Sequence, residues 1–224
     1  MERSPQSLPD PTGGILTEID QQCCSAYALW DIVKQLFYAK PECAELWNEI
    51  SGSAALDLRD TLLDAVILAI CRMTDPAQQG KNLNCSMAGL VAALVNSVDQ
   101  PVIANLNDRV TKIQKLCDPL REHRRKRIAH SDVQVNVAHT TLLPQYSAST
   151  VDDALSAVSS FLQEVQRLVE WPHMMYHLGD YDGSTVLMYL EAGRKLFDLQ
   201  EAIDRNTMSP DDICSEIKRY NGFA

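Results

Sequence analysis

The chain has 224 residues, 46% of them hydrophobic and 22% charged, so it can bury a full core and disorder is not expected. Its nine glycines, ten prolines and few aromatic residues favour helices over an all-β fold, which needs many turns. No apolar run reaches the length of a membrane-spanning helix. The polar, proline-rich residues 1–14 lack the apolar core of a signal peptide and are expected to form a flexible lead-in.

Cysteines and charges narrow the class of protein further. The seven cysteines are scattered, without a Cys-x-x-Cys pair or a histidine at zinc-ligand spacing, which predicts reduced thiols in a cytoplasmic protein. The net charge is −10, which argues against nucleic acid as a partner. However, eight basic residues and two acids lie between Arg109 and Arg127, so this strip carries +6. It is suited to a phosphate or to an acidic surface in a dimer.

Apolar residues recur at helical spacing through most of the chain. Thr17 and Asp20 are typical of the N-terminus of the first helix, and Asp75-Pro76 ends the second. Thr150 with Asp153 resembles a capping arrangement. The predicted helices, in chain order, cover residues 18–39, 42–73 or 53–73, 86–95, 101–116, 120–130, 151–170, 184–204 and 210–220.

Four to five long helices with shorter helices at their ends indicate an all-α helical bundle. We expect residues 15–224 to form a single domain. Within it, residues 133–149 have no helical period and contain Pro144, which predicts a long loop of the kind that often carries function. The helices within residues 171–224 are expected to pack on the bundle.

The most distinctive chemistry lies in the basic segment, Arg121–His130, which reads REHRRKRIAH. One interpretation is a solvated helix end, because the helix dipole favours cations there. Repulsion among the cations, with Glu122 as the single acid, opposes such a helix and favours a binding role. An arginine beside a titratable histidine is the minimum equipment for cleaving a phosphodiester. The histidine exchanges a proton and the guanidinium binds the charge that develops at phosphorus.

The string Arg124-Arg-Lys-Arg-Ile-Ala-His130-Ser-Asp resembles the Arg-x4–6-His motif of HEPN domains. It is most similar to the AbiU2-type branch, whose members carry R-[N/D]-K-x-I-A-H-S-D. The order of other elements is also similar, with Leu58-Arg59-Asp60 on an apolar helix, Asp75-Pro76, and Asn82-Leu83 ahead of a short helix. The resemblance covers roughly residues 15–170 and implies a HEPN-like helical bundle that dimerises.

The resemblance also implies an activity, that of a metal-independent endoribonuclease in a toxin or phage-defence role. Arg124 and His130 match the catalytic pair, and a homodimer would combine two pairs in a composite site where the RNA 2′-OH is the nucleophile. No metal or other cofactor is implied. RNA, a second copy and an antitoxin are the expected partners, with no membrane. The neighbouring cations expected to bind RNA are Arg121, Arg125, Lys126 and Arg127.

Two features keep another interpretation open. Arg125 follows the motif arginine, at a position that is usually polar and uncharged or acidic in this branch. On a regular α-helix, six residues turn Arg124 about 240° away from His130, so the pair meets only where the helix breaks. The alternative is a non-catalytic helical binding or scaffold module whose basic segment docks nucleic acid or an acidic partner.

Other polar residues are interpreted as structural. His173 and His177 are four residues apart, as metal ligands on a helix can be, but no third ligand lies near them in the sequence. Asp60 and Asp64 share a helix face and are interpreted as a solvated stripe or as partners of Arg59.

Overall fold

The computed structural model describes residues 11–128, 143–176, 183–205, 207–209 and 211–212. These residues are predominantly helical, which confirms the predicted all-α bundle, and five of the described helices have 17 residues or more. In chain order the helices are α1 (Thr12–Val33), a π-helical turn (Lys34–Tyr38), α2 (Pro41–Met73), α3 (Met87–Leu94), α4 (Gln100–Leu116), α5 (Asp118–His123), a second π-helical turn (Arg124–Ile128), α6 (Ala148–Leu168) and α7 (Gly183–Asp204).

Helix α1 begins at Thr12, several residues before the predicted start. The Thr17 hydroxyl donates to the Gly13 carbonyl at 2.9 Å, inside the helix. Asp20 is buried and accepts hydrogen bonds from side chains outside α1. The predicted helix start was wrong because short polar side chains also bond within helices and in cores, and not only at helix ends.

Helix α2 contains a break that explains the two alternative starts, near residues 42 and 53, predicted for it. It begins at Pro41, where proline suits the first turn, and ends at Met73 as predicted. Ser51 leaves helical geometry, with φ −173° and ψ 89°, so a second helical stretch begins directly after it. The starts predicted near Glu42 and near Ser53 therefore mark the two stretches on either side of this break.

A short antiparallel hairpin lies where the sequence predicts a polar loop. Strand β1 (Gln78–Gln79) pairs with β2 (Asn82–Leu83). Gly80 has a φ of +64°, which glycine adopts without strain in a two-residue hairpin turn. Strands of two residues are too short to produce a recognisable alternation in the sequence.

Helix α6 begins with a capping box. The Ser147 hydroxyl accepts from the Thr150 backbone N–H at 3.3 Å, and the Thr150 hydroxyl accepts from the Ser147 N–H at 3.1 Å. Thr150 is therefore the reciprocal partner and Ser147 the cap, one turn earlier than predicted. Of the predicted loop over residues 133–149, only residues 143–149 are described, and residues 148–149 already belong to the helix.

The chain divides into two compact units. The larger unit comprises residues 1–31 and 60–181, and the smaller unit residues 32–59 and 182–224. The single domain predicted for residues 15–224, with residues 1–14 flexible and residues 171–224 packed on the bundle, stays a prediction. Fully buried side chains of the larger unit's core include Ile19, Trp30, Ile67, Leu90, Leu106 and Phe161.

A buried polar cluster connects α1 with α6 inside the larger unit. Asp20 is 1% exposed and accepts the Tyr176 hydroxyl at 2.5 Å. Its two carboxyl oxygens also accept from the Gln166 amide at 2.9 and 3.0 Å. Burial raises the pKa of Asp20, and the hydrogen bonds from Tyr176 and Gln166 oppose that rise. The hydrogen bonds compensate for burying a titratable group in the core.

Replacing the hydroxyl donor of this cluster tests its contribution to stability. Tyr176→Phe is expected to lower the free energy of unfolding by about 2 kcal/mol, because the buried Asp20 carboxyl group loses its shortest hydrogen bond. Tyr27→Phe is the matched control, since Tyr27 stacks on Tyr176 but bonds the neutral Ser159 hydroxyl, and should cost less than about 1 kcal/mol. Urea unfolding measures both. Equal losses would contradict the special role of Asp20.

Candidate functional site

The described part of the basic segment, residues 121–128, crosses from one helix type to another. Helix α5 is regular through His123, and Arg124–Ile128 form the second π-helical turn. A π-helical turn is wider than an α-helical one because its hydrogen bonds join residues five apart. The regular geometry that separates Arg124 from His130 therefore ends at Arg124. His130 lies outside the described residues, so the meeting of the two side chains stays a prediction.

The motif arginine, Arg124, is held by an acid at the end of α2. Its guanidinium donates to the Asp75 carboxylate at 2.7 Å. This hydrogen bond raises the pKa of Arg124, while partial burial opposes the rise. Because Asp75 comes two residues after the last residue of α2, the position of Arg124 depends on where that helix ends.

Arg121 contacts the same helix end. It donates to the buried Thr74 carbonyl at 2.7 Å and lies 3.9 Å from the Asp75 carboxylate. The Gln114 amide of α4 donates to the same Thr74 carbonyl at 3.0 Å. The last carbonyls of a helix lack partners within it and carry the negative end of its dipole, so cationic donors are favoured there. We call Thr74, Asp75, Arg121 and Arg124 the arginine anchor.

The next two cations share one acid. The Arg125 guanidinium donates to both Glu122 carboxylate oxygens, at 2.8 and 2.9 Å, and Lys126 lies 3.3 Å from the same group. The hydrogen bond from Arg125 is the main reason that the pKa of Glu122 is lowered. The Arg125 side chain is nevertheless 64% exposed. Glu122 therefore offsets the repulsion in this segment, as its position in the sequence suggests.

Arg127 reaches back to the middle of α2. Its guanidinium donates to the Asp64 carboxylate at 2.8 Å. The sequence interpretation of Asp64 as a solvated residue or a partner of Arg59 did not anticipate this contact. Five cations of the segment thus contact three carboxylates, and these eight side chains together carry a charge of +2.

His123 fixes the end of the predicted loop beside the basic segment. Its Nε2 lies 2.8 Å from the Pro144 carbonyl, and its ring packs edge-on against Tyr146 at a centroid distance of 4.7 Å. The final residues of the predicted loop over residues 133–149 therefore lie next to α5.

Two cysteines near the arginine anchor are buried and have low reactivity. Cys71 and Cys117 are free and fully buried, and burial raises the pKa of Cys71 to about 11 and of Cys117 to about 12. Thiols in this state are poor nucleophiles near neutral pH.

Among the residues that the structure describes, no group of three His, Cys, Asp or Glu side chains could hold a metal ion. None of the described helices is long and apolar enough to cross a membrane.

Sequence reasoning missed the partners of the motif arginine. From the sequence, Asp75 was interpreted only as the end of a helix, and Thr74 and Gln114 were not singled out. The available signal is positional, because an acid directly after a helix that precedes an arginine-rich segment is a candidate counter-ion. Sequence separation hides the pair, since Asp75 and Arg124 are 49 residues apart.

Removing the negative charge of Asp75 tests whether the arginine anchor stabilises the fold. Asp75→Asn is expected to lower the free energy of unfolding by about 1 kcal/mol, because Arg124 and Arg121 lose a partly buried carboxylate. Asp64→Asn is the matched control, as it breaks the more exposed pair with Arg127, and should cost roughly 0.3 kcal/mol. Chemical denaturation compares the two variants. A larger loss for Asp64→Asn would contradict the ranking.

Comparison with known proteins identifies the family. The HEPN_AbiU2 family model, described as AbiU2, matches residues 10–183. The match includes α1 to α6 and the whole basic segment, and it ends at the first residue of α7. No curated protein and no solved structure matches the chain. With most of its length matched by this model, the chain belongs to the AbiU2 family of HEPN domains.

Proposed function

We propose that this HEPN domain is a metal-independent endoribonuclease that acts as a homodimer in a toxin or phage-defence role. The observation that carries the proposal is the Arg124…His130 motif inside the family match. The arginine anchor adds support, because it holds the motif arginine in a defined position within a segment of surplus positive charge.

The proposed reaction is transesterification within RNA. One His130 accepts the proton of a ribose 2′-OH, whose oxygen attacks the adjacent phosphorus. The bond from phosphorus to the 5′-oxygen breaks, and the partner subunit's His130 protonates that oxygen as it leaves. The products are a 2′,3′-cyclic phosphate and a free 5′-OH. Arg124 binds the non-bridging oxygens, where negative charge increases in the transition state.

The Asp75 contact is compatible with this role for Arg124. A guanidinium has five N–H donors, and the bond to the Asp75 carboxylate uses one of them. The remaining donors of the Arg124 guanidinium can bind other acceptors, and the Cys71 side chain is one acceptor near it. A guanidinium oriented by a fixed acid loses little entropy when it binds phosphate, which is the benefit of a preorganised site.

The proposed RNA contacts fall on the exposed cations of the basic segment. Arg125 and Arg127 have side chains that are 64% and 38% exposed, so phosphates can compete for them with Glu122 and Asp64. Lys126 is more enclosed, and Arg121 donates inward to Thr74. We therefore expect Arg125 and Arg127 to contribute most of the affinity.

The decisive experiment is an RNase assay in EDTA on total RNA and tRNA. Arg124→Ala and His130→Ala are expected to reduce cleavage by at least about 100-fold, because each removes a group that acts in the transition state. Products of the wild type should end in 2′,3′-cyclic phosphate.

Matched controls distinguish the loss of a catalytic group from a general loss of stability. His173→Ala removes an exposed histidine outside the motif, and Arg205→Ala removes an arginine whose ion pair among the described residues is an exposed one with Glu201. Both should retain wild-type cleavage. Urea unfolding of Arg124→Ala shows how much of its effect comes from the lost Asp75 contact. Cleavage by His130→Ala at the wild-type rate would refute the catalytic assignment.

A second candidate function is a non-catalytic binding module. It is favoured by Arg125 and by the finding that all five described cations of the basic segment contact acceptors of their own chain. This module would bind RNA or an acidic partner with an affinity that falls steeply with salt, and would leave RNA intact. Salt-sensitive binding without products in the EDTA assay would support it over the nuclease.

A further inference from the structure

A groove lies between α4 and α6 of the larger unit, outside the basic segment. It encloses about 340 Å³, near the lower end of the roughly 300–1,000 Å³ that ligand pockets occupy. Ile113 and Ala157 contribute apolar surface to it. Polar side chains line the rest of the groove, namely Arg109 and Lys112 from α4 and Asp153, Ser156 and Ser160 from α6. The groove therefore combines an apolar surface with cations, hydroxyl groups and a carboxylate.

The arginine of the groove is held in place by α6. The Arg109 guanidinium donates to the Ser160 hydroxyl at 3.3 Å and pairs with the Glu164 carboxylate. The Arg109 side chain is 30% exposed, so a ligand can reach part of it. Unpaired nucleobases commonly stack on the planes of arginine guanidinium groups. An arginine that its neighbours already hold loses little side-chain entropy when it provides such a plane.

Three other polar side chains of the groove can bind a ligand. Among the described residues, the Asp153 carboxylate and the Ser156 hydroxyl have no hydrogen-bond or ion-pair partner. Lys112 pairs with Asp108 one turn earlier, and the Lys112 side chain is 74% exposed. An exposed pair of this kind is weak, so a phosphate can compete with Asp108 for the ammonium group. The groove thus offers an acceptor, a hydroxyl and a cation that the fold does not require.

The side of α4 that lines the groove leads toward the basic segment. Arg109 of α4 contacts Ser160 in the second half of α6, whereas His123 of α5 contacts Tyr146, which precedes α6. The helices α4 and α5 therefore run antiparallel to α6. Residues 109–123 span at most about 20 Å of helix. A short stretch of single-stranded RNA can contact the groove and the basic segment together.

We propose that this groove binds one nucleotide of a single-stranded RNA whose neighbouring nucleotides contact the basic segment. The base stacks on Arg109, the Ser156 hydroxyl and the Asp153 carboxylate contact the base edge, and Lys112 binds the adjacent phosphate. Because a carboxylate accepts from the exocyclic amino group of cytosine and repels the carbonyl of uracil, Asp153 selects cytosine over uracil. The proposal deepens the proposed function and rests on it in one respect, namely that the ligand is RNA.

The charges of the groove favour a nucleotide over a simple anion. Asp153 and Glu164 offset the charges of Arg109 and Lys112, so the groove has little attraction for inorganic phosphate or for an acidic peptide. A nucleotide satisfies both signs, because its phosphate pairs with Lys112 and its base amino group donates to Asp153. Stacking on a side chain beside a backbone-binding cation is the usual arrangement in proteins that bind single-stranded nucleic acid.

Base selection tests the role of Asp153. Oligocytidine and oligouridine with methylated 2′-oxygens cannot be cleaved by the proposed reaction, so fluorescence anisotropy at neutral pH measures binding alone. We expect the wild type to bind oligocytidine at least threefold more tightly than oligouridine. Asp153→Asn should bind both oligonucleotides equally, because an amide can also donate to the uracil carbonyl. A wild type without base preference, or a preference that survives in Asp153→Asn, overturns the assignment.

Filling the groove tests whether the nucleotide binds there. Ser156→Leu should weaken the binding of oligocytidine at least fivefold, because the larger side chain occupies the groove. Ala104→Leu adds the same side chain to an exposed position of α4 that does not line the groove, and should bind like the wild type. Urea unfolding verifies that both variants fold. Free cytidine monophosphate should bind at least tenfold more weakly than the oligonucleotide, because it cannot also reach the basic segment.

The outcomes separate this subsite from the proposed nuclease. Unchanged binding by Ser156→Leu overturns the subsite, even where the wild type cleaves RNA in EDTA. Equal affinity for the mononucleotide and the oligonucleotide overturns the shared path to the basic segment. Groove-dependent binding by a protein that leaves RNA intact supports the subsite and refutes the nuclease. No binding of either oligonucleotide overturns both the subsite and RNA as the ligand.

Discussion

The candidate site depends on which donors bind the hydrogen-bond acceptors at the C-terminal end of α2. The Thr74 carbonyl and the Asp75 carboxylate lie where a helix leaves acceptors unpaired and its dipole is negative. Arg121 and Arg124 supply donors at 2.7 Å to these two groups. A cationic segment that would repel itself in isolation is therefore compensated by an acceptor-rich helix end, and the motif arginine is fixed in the process.

The same contacts connect stability with the proposed chemistry. In the proposed mechanism Arg124 binds phosphate as well as Asp75, so loss of activity in an Arg124 variant does not by itself identify its role. Exposed Arg125 and Arg127 are separable from this double function, because their acidic partners are near the surface. To interpret variants of the basic segment, the free energy of unfolding and the rate of RNA cleavage must therefore be measured for the same protein.

Sequence reasoning was most successful where local pattern determines structure. The period of apolar residues predicted a helix over residues 151–170, where Leu155 and Leu162 of α6 are fully buried, and Asp75-Pro76 predicted the end of α2 at Met73. It failed at Thr17, whose hydroxyl bonds within α1. In the site, the motif revealed Arg124 and His130 as candidates but not Asp75, because a counter-ion 49 residues away has no local signature.

The composite site can be tested by mixing wild-type subunits with inactive ones. Wild-type and His130→Ala chains would be unfolded together in different ratios, refolded and assayed for RNA cleavage in EDTA. Because the proposed reaction uses one His130 from each subunit, a mixed dimer lacks either the base or the acid, so cleavage should fall with the square of the wild-type fraction. Cleavage that falls only in proportion to the wild-type fraction, in verified mixed dimers, would contradict a site shared between subunits.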